Sequence, residues 1–347
     1  MIIGTAKESY RADEALLTTG PQKLWMGILL AGLVVLPFVF NTYWIYLACL
    51  VMINVIAATG LNVLTGFTGL VSLGHAAFMA VGAYTVAWLE KNTGLPLPVN
   101  LLAGGLLAAA VGALVGLPSL RIKGLYLAIA TIAASFILHF IFIDWKSVTG
   151  GTAGLTLEPG RIFGFELVEY RHLYWLIMPV TLLMVTGAAN LFRNRIGRAF
   201  IAIRDRDISA EVLGIPILRY KLLSFALASF YAGIAGGLWV LFFRVVTPES
   251  FPLVTSIFLL AAVIVGGMGT IIGGVIGAIF MTMVPELLRY VVDFLSPVIP
   301  NASLILSPVR TIVFGALIVG FLVFEPQGLA EIIQRIRRFF RVWPFRT

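Results

Sequence analysis

Residues 193–221, RNRIGRAFIAIRDRDISAEVLGIPILRYK, place seven Lys or Arg between two long apolar runs, 173–192 and 220–243. A second basic group, Arg335, Arg337, Arg338, Arg341 and Arg346, lies near the C-terminus, so these two places hold half of the 24 basic residues. Basic residues flanking apolar spans are retained on the cytoplasmic side of a membrane, so the segment is a landmark for topology.

Composition supports that frame. The chain has 347 residues, is 60% hydrophobic and 12% charged, and has a mean hydropathy of +1.02. Globular domains lie near about 45–50% apolar and about 25% charged. Apolar runs of about 20 residues recur, enough for a helix to cross a hydrocarbon core of about 30 Å, without the alternating pattern of a membrane barrel. The expected fold is an all-α integral membrane protein of about ten transmembrane helices. Spans are expected near 24–41, 43–64, 76–90, 97–117, 125–143, 173–192, 220–243, 254–268, 271–292 and 304–324. These form a polytopic body over 24–329, between a polar tail, 1–23, and a basic tail, 330–347.

The polar tail carries Lys7, Glu8, Arg11, Asp13, Glu14 and Lys23 and lacks the apolar core of a signal peptide, so the first span is expected to stay in the mature chain. Cys49, the only cysteine, has no partner for an intrachain disulfide. The net charge of +8 reflects membrane orientation rather than nucleic-acid binding, since no soluble basic and aromatic module accompanies it. With both termini inside, segments 1–23, 118–124, 193–221 and 325–347 carry 3, 2, 7 and 5 basic residues, 17 of the 24. The opposite orientation would invert that asymmetry.

Two expected spans, 76–90 and 254–268, are short and abut glycine clusters, which points to broken or re-entrant helices. Gly66, Gly69 and Gly74 match Gly266, Gly269 and Gly274 at a constant offset of 200. Among 35 glycines such a match arises readily by chance; a weak internal repeat is the alternative.

Several groups are candidates for function. In 193–219, Asp207 is placed to cap a short helix to Leu213, Gly214 to end it and Pro216 to block its continuation. Ala199, Phe200 and Ile203 beside Arg198, Arg204 and Asp205 give a mixed surface that suits a soluble partner as well as a solvated loop. In GFTGLVSLGHAAF, 66–78, the residues Gly66, Gly69, Ser72, Gly74 and His75 are candidates to line a path, helix packing being the competing reading. In loop 144–172, Thr149, Gly150 and Gly151 form a polar turn that could close over an entrance. His139 reads as an interfacial residue, and Glu286, Arg289 and Asp293 as partners on one helix face. No phosphate loop, metal-ligand cluster, catalytic triad or mid-span carboxylate is present in the sequence.

The segments NVLTGFTGLVSLGHAAFMAVGAY (62–84), IKGLYLAIATIAASFIL (122–138), TGGTAGL (149–155), RIGRAFIAIRDRDISAEVLGIPILRYKLLSFALASFYAGIAGGLW (195–239), TPESF (247–251) and VGGMGTIIGGVIGA (265–278) resemble the permease subunits of bacterial branched-chain amino-acid ABC importers, LivM type. The resemblance covers roughly residues 43 to 329. It implies a multi-pass protein of the bacterial inner membrane, embedded in lipid. The implied partners are a second homologous permease, two cytoplasmic ATP-binding subunits and an external substrate-binding protein. It also implies a non-catalytic subunit with no cofactor of its own, ATP and Mg²⁺ being held by the ATPases. Gly197, Arg198, Ala199, Ile203, Arg204, Asp205, Ala210, Glu211 and Gly214 would form the segment that couples to an ATPase. Arg193 and Arg195 would mainly set topology. Urea and short-chain amide importers share the pattern, so they are the alternative for substrate, and a self-sufficient carrier or channel is the alternative of a different class.

Overall fold

A computed structural model describes residues 20–119, 122, 124–162, 165–166, 168–295, 312–313, 315–316, 319–321, 323 and 327–342. In chain order the helices are α1 (Gly20–Val39), α2 (Thr42–Asn62), α3 (His75–Asn92), α4 (Leu97–Ser119), α5 (Leu125–Asp144) and α6 (Tyr170–Arg193). They continue with α7 (Arg195–Asp205), α8 (Asp207–Val212), α9 (Ile217–Phe243), α10 (Leu253–Gly266), α11 (Ile271–Leu295) and α12 (Leu329–Val342). A π turn, Val63–Phe67, extends α2. A four-residue helix, Lys146–Thr149, two 3-10 turns, Gly151–Ala153 and Pro248–Ser250, and two antiparallel ladders of two-residue strands are also described: β1 (Leu155–Thr156) with β4 (Val245–Val246), and β2 (Arg161–Ile162) with β3 (Phe165–Glu166).

The protein is an all-α membrane protein. Seven helices among the described residues are long and apolar enough to cross a bilayer. Helices coincide with nine of the ten expected spans; the tenth, 304–324, lies mostly outside the described residues, as does most of the N-terminal tail.

α2 and α9 form the centre, each apolar all round, as a helix enclosed by other helices should be. α9 packs on α2, α3 and α4, while α6, α10 and α11 cover other faces of α2. The approach of α3, α4 and α9 depends on glycine. A Cβ on Gly82 would run into the backbone of Gly233, and one on Gly233 would lie 2.8 Å from the Gly104 oxygen. Apolar lipid tails offer little hydrophobic drive between helices, so such close backbone packing supplies the cohesion. At one end of α2, Tyr43 donates to Glu286, and Arg289 lies 3.4 Å from that carboxylate and donates to the Tyr43 oxygen at 2.7 Å. The Asp293 side chain lies outside the described set.

α3 begins inside the bundle. The His75 ring nitrogen Nε2 lies 3.0 Å from the Ala57 oxygen. Ala57 is ten residues back from Phe67, or about 15 Å along a helix. Residues 68–74 cover that distance without helical structure. α10 itself has 14 residues, about 21 Å, and reaches crossing length only together with the preceding turn, as Pro248–Gly266. The backbone groups freed at these ends are met from other helices: Leu73 N–H donates to Thr131 Oγ1 at 3.0 Å and Ala76 N–H to Ser256 Oγ at 2.9 Å.

Candidate functional site

After α6 the chain reverses within one extended residue, Asn194, and re-enters helix as α7. Gly197 permits this corner, since a Cβ there would meet Leu191 O at 2.7 Å and the Phe192 backbone. α7 is strongly two-faced. Gly197, Ala199, Phe200 and Ile203 are buried, with Phe200 in a cluster with Val63 and Phe67 of the π turn, while Arg198, Arg204 and Asp205 are exposed. Arg198 donates to the Arg193 oxygen at 3.1 Å, tying α7 to the end of α6.

Arg204 sits where the two glycine clusters meet. Its Nη1 donates to Gly66 O at 3.0 Å, while Nε and Nη2 both lie 3.1 Å from Asp205 Oδ1. Its stem covers Gly69, where φ is +74°. Gly269, at φ +76°, comes so close that a Cβ would lie 2.7 Å from Arg204 Nη1. Asn62, 1% exposed, closes the junction. Its Oδ1 accepts from Gly269 N–H at 3.0 Å and its Nδ2 donates to Thr270 O at 2.7 Å. The end of α2, the α10–α11 turn and α7 are thus joined at one point.

α8 follows directly. Arg206 is its cap and Asp207 its first residue, so the helix starts one position earlier than the sequence suggests; the Asp207 carboxylate accepts from the Ile208 amide at 2.9 Å. At the other end Gly214, at φ +83°, donates to Glu211 O at 2.9 Å and Ile215 donates to Ala210 O at 3.0 Å. That paired closure is the Schellman arrangement. Ala210 is buried against the body, whereas Glu211 is exposed and Ile208, Val212 and Leu213 are 72%, 83% and 78% exposed. Beneath them an open cleft of about 550 Å³ runs past Asp207, Glu211, Pro216 and Lys221.

The candidate path residues fall into three places. Gly66 and Gly69 belong to the Arg204 junction. Ser72, Gly74 and His75 form the buried approach to α3, with Gly74 against the Thr131 backbone and the His75 ring turned toward α2. Thr149, Gly150 and Gly151 form a tight turn after α5, in which Thr149 Oγ1 donates to Phe142 O at 2.6 Å and accepts from Gly151 N–H at 3.2 Å. That turn leads into β1 and so to β4. Among the described residues no three His, Cys, Asp or Glu side chains converge as metal ligands would.

Residues 43–322 match the family model described as branched-chain amino acid transport system / permease component. The chain belongs to the branched-chain amino-acid permease family. It is 33% identical over 338 residues to the high-affinity branched-chain amino acid transport system permease protein LivM of Escherichia coli K12, covering 90% of this chain and 76% of that one. It is 26% identical over 295 residues to a probable branched-chain amino acid transport permease protein LivH of Methanocaldococcus jannaschii, covering 80% and 88%. A more distant relative is the autoinducer 2 import system permease protein LsrC of Enterobacter sp. strain 638, 26% identical over 63% of each chain. No match to a solved structure was found.

Sequence reasoning overlooked two features of this family member. Asn62, a buried amide at the end of an apolar run, carries the junction; its polarity there was the available signal. The apolar outer surface of α8 was the other, with Ile208, Val212 and Leu213 standing among charges in the sequence itself.

Proposed function

We propose that the chain is the membrane-embedded permease subunit of an ATP-driven importer for branched-chain or similarly hydrophobic amino acids. It makes ten crossings with both termini in the cytoplasm of a bacterial inner membrane, and pairs with a second, homologous permease. Two cytoplasmic ATPase subunits hold ATP and Mg²⁺, and an external binding protein delivers the substrate. The chain itself does no covalent chemistry and holds no cofactor. α7 and α8 are the coupling segment: α7 fixes the segment to the membrane body and α8 is gripped by an ATPase.

The observation that carries this reading is the outer surface of α8. Ile208, Val212 and Leu213 are more than 70% exposed on a helix anchored through the buried face of α7, and burying each fully is worth about 1.5–3 kcal/mol. Charged Glu211 and Asp207 flank them and give a partner direction as well as area. The test is reconstitution of the chain with its genomically adjacent partners in liposomes. Leucine uptake should require the ATPases and internal ATP, and Ile208→Asp with Val212→Asp should abolish co-purification of the ATPases while insertion is retained. Leucine uptake by this chain alone would overturn the reading in favour of a self-sufficient carrier. Urea uptake without leucine uptake would redirect the substrate to the urea and amide class.

A further inference from the structure

A second cavity, of about 220 Å³, opens between α3, α5 and the segment that leads into α10. It is smaller than the roughly 300–1,000 Å³ of pockets for drug-sized ligands and so suits a single small molecule. Its floor is the first turns of α3, where Ala76, Ala77 and Ala80 leave the space that larger side chains would fill. Phe142 and Phe251, both almost fully buried, and the ring of Phe136 give it apolar walls.

The polar groups are few and complementary. Ser256, 1% exposed, accepts from the Ala76 amide through Oγ, which leaves its hydroxyl proton to donate. Ser135 donates to Ile132 O at 2.7 Å, so its oxygen remains an acceptor. His139 reaches the same cavity and has no hydrogen-bond partner among the described residues. A donor, an acceptor and an imidazole beside aromatic walls match a carboxylate and an ammonium carried on an aliphatic side chain. The start of α3 adds to the match, since helix N-termini favour negative charge and α3 begins within the bundle rather than at its surface.

We infer that this cavity is a transient binding site for the aliphatic amino acid during passage, with Ser256 and His139 holding its polar end and Phe136, Phe142 and Phe251 its side chain. The inference rests on the importer reading above. The occupant sits beside, not on, His75, Ser72 or the Thr149–Gly151 turn. The turn acts through the cavity wall, because Thr149 bonds the carbonyl of Phe142.

Cysteine chemistry supplies the test. The single native cysteine, Cys49, is 0% exposed and so a quiet background. In the full complex in liposomes, Ser135→Cys is labelled with a small methanethiosulfonate reagent and quantified on this chain by mass spectrometry. Saturating leucine with binding protein and ATP should slow labelling at least about fivefold, and aspartate should not. Independently, His139→Ala and Ser256→Ala should each reduce kcat/KM for leucine uptake about tenfold, the effect of losing a hydrogen bond to a charged ligand group. Unchanged labelling together with wild-type kinetics in both variants, in a complex that does transport leucine, would overturn this site and leave the importer reading intact. A wild-type complex that fails to take up leucine would overturn the importer reading and the site with it.

Discussion

Asn62→Ala removes the side chain that joins the end of α2 to the α10–α11 turn. The substitution strands the part-buried Gly269 amide, held at 3.0 Å, and removes one of two donors to the Thr270 carbonyl, held at 2.7 Å, which keeps the Gly274 amide at 3.2 Å. A polar group left without a partner costs about 1–3 kcal/mol and an ordinary lost hydrogen bond about 1 kcal/mol, so the expected loss is about 2–4 kcal/mol. That is a large share of the roughly 5–15 kcal/mol that holds a typical domain together. Asn54→Ala is the control on the same helix, since Asn54 makes one side-chain bond, to Thr282 Oγ1 at 3.0 Å, and strands no backbone group. Its loss should cost about 1 kcal/mol. Denaturant unfolding in detergent of the two variants compares them directly. A cycle with Arg204→Ala then tests whether the junction is one unit, because Arg204 holds Gly66 O beside the same amide. Residues in one network couple by about 0.5–3 kcal/mol. Asn62→Ala no worse than Asn54→Ala, with effects additive to Arg204→Ala, would refute the description of this junction as a shared clamp.

Three further outcomes follow from the geometry. Gly214→Ala forces a Cβ onto a residue at φ +83° and should weaken the end of α8 by about 1 kcal/mol, seen as faster hydrogen exchange at the Ile215 amide; unchanged protection would contradict the Schellman closure. Gly82→Val drives side-chain atoms into the Gly233 backbone and should cost at least about 1–3 kcal/mol, read as a fall in monodisperse protein after extraction. Glu286→Gln weakens the pairing with Arg289, but those side chains are 26% and 43% exposed, so the loss should stay within about 1 kcal/mol in a thermal melt; a larger drop would show that the Tyr43 hydrogen bond dominates.

The parts of this fold that repeat along the chain were legible from sequence. Apolar run length marks the long helices, and the Gly214-x-Pro216 pattern marks the end of α8 because φ and the lost N–H are local properties. Asp207 illustrates the limit of local reading, since it begins α8 rather than caps it. The junction was not legible. Asn62 and Thr270 are 208 residues apart, and helix contacts across that separation leave no periodic trace. The direction of His75 was hidden for a related reason: α3 buries nearly all of its first three turns, so no apolar stripe shows which side faces α2 and which faces the cavity.

The equal spacing of the two glycine clusters acquires a physical meaning from their meeting at Arg204, whatever its origin. Under the proposed coupling, force on α8 passes to α7, and α7 has two attachments of unequal strength. Its apolar face is buried on the π turn, so sliding α7 across that turn would expose Phe200 and Phe67, at about 1.5–3 kcal/mol for each side chain. α7, the π turn and the Asn62 junction therefore resist separation and move as one body. The segment after Gly69 is held more lightly. Leu70 is tied back to the π turn by its amide, 3.0 Å from Leu64 O, and its carbonyl, 3.3 Å from Thr65 Oγ1, and Leu73 leans on Thr131. A displacement of the rigid body must be absorbed between Leu70 and Leu73, next to the start of α3. Ala76 and Ser256 share a hydrogen bond there, at the polar end of the proposed cavity. Motion at the α8 surface would thus alter the cavity by shifting the first turn of α3 against α10.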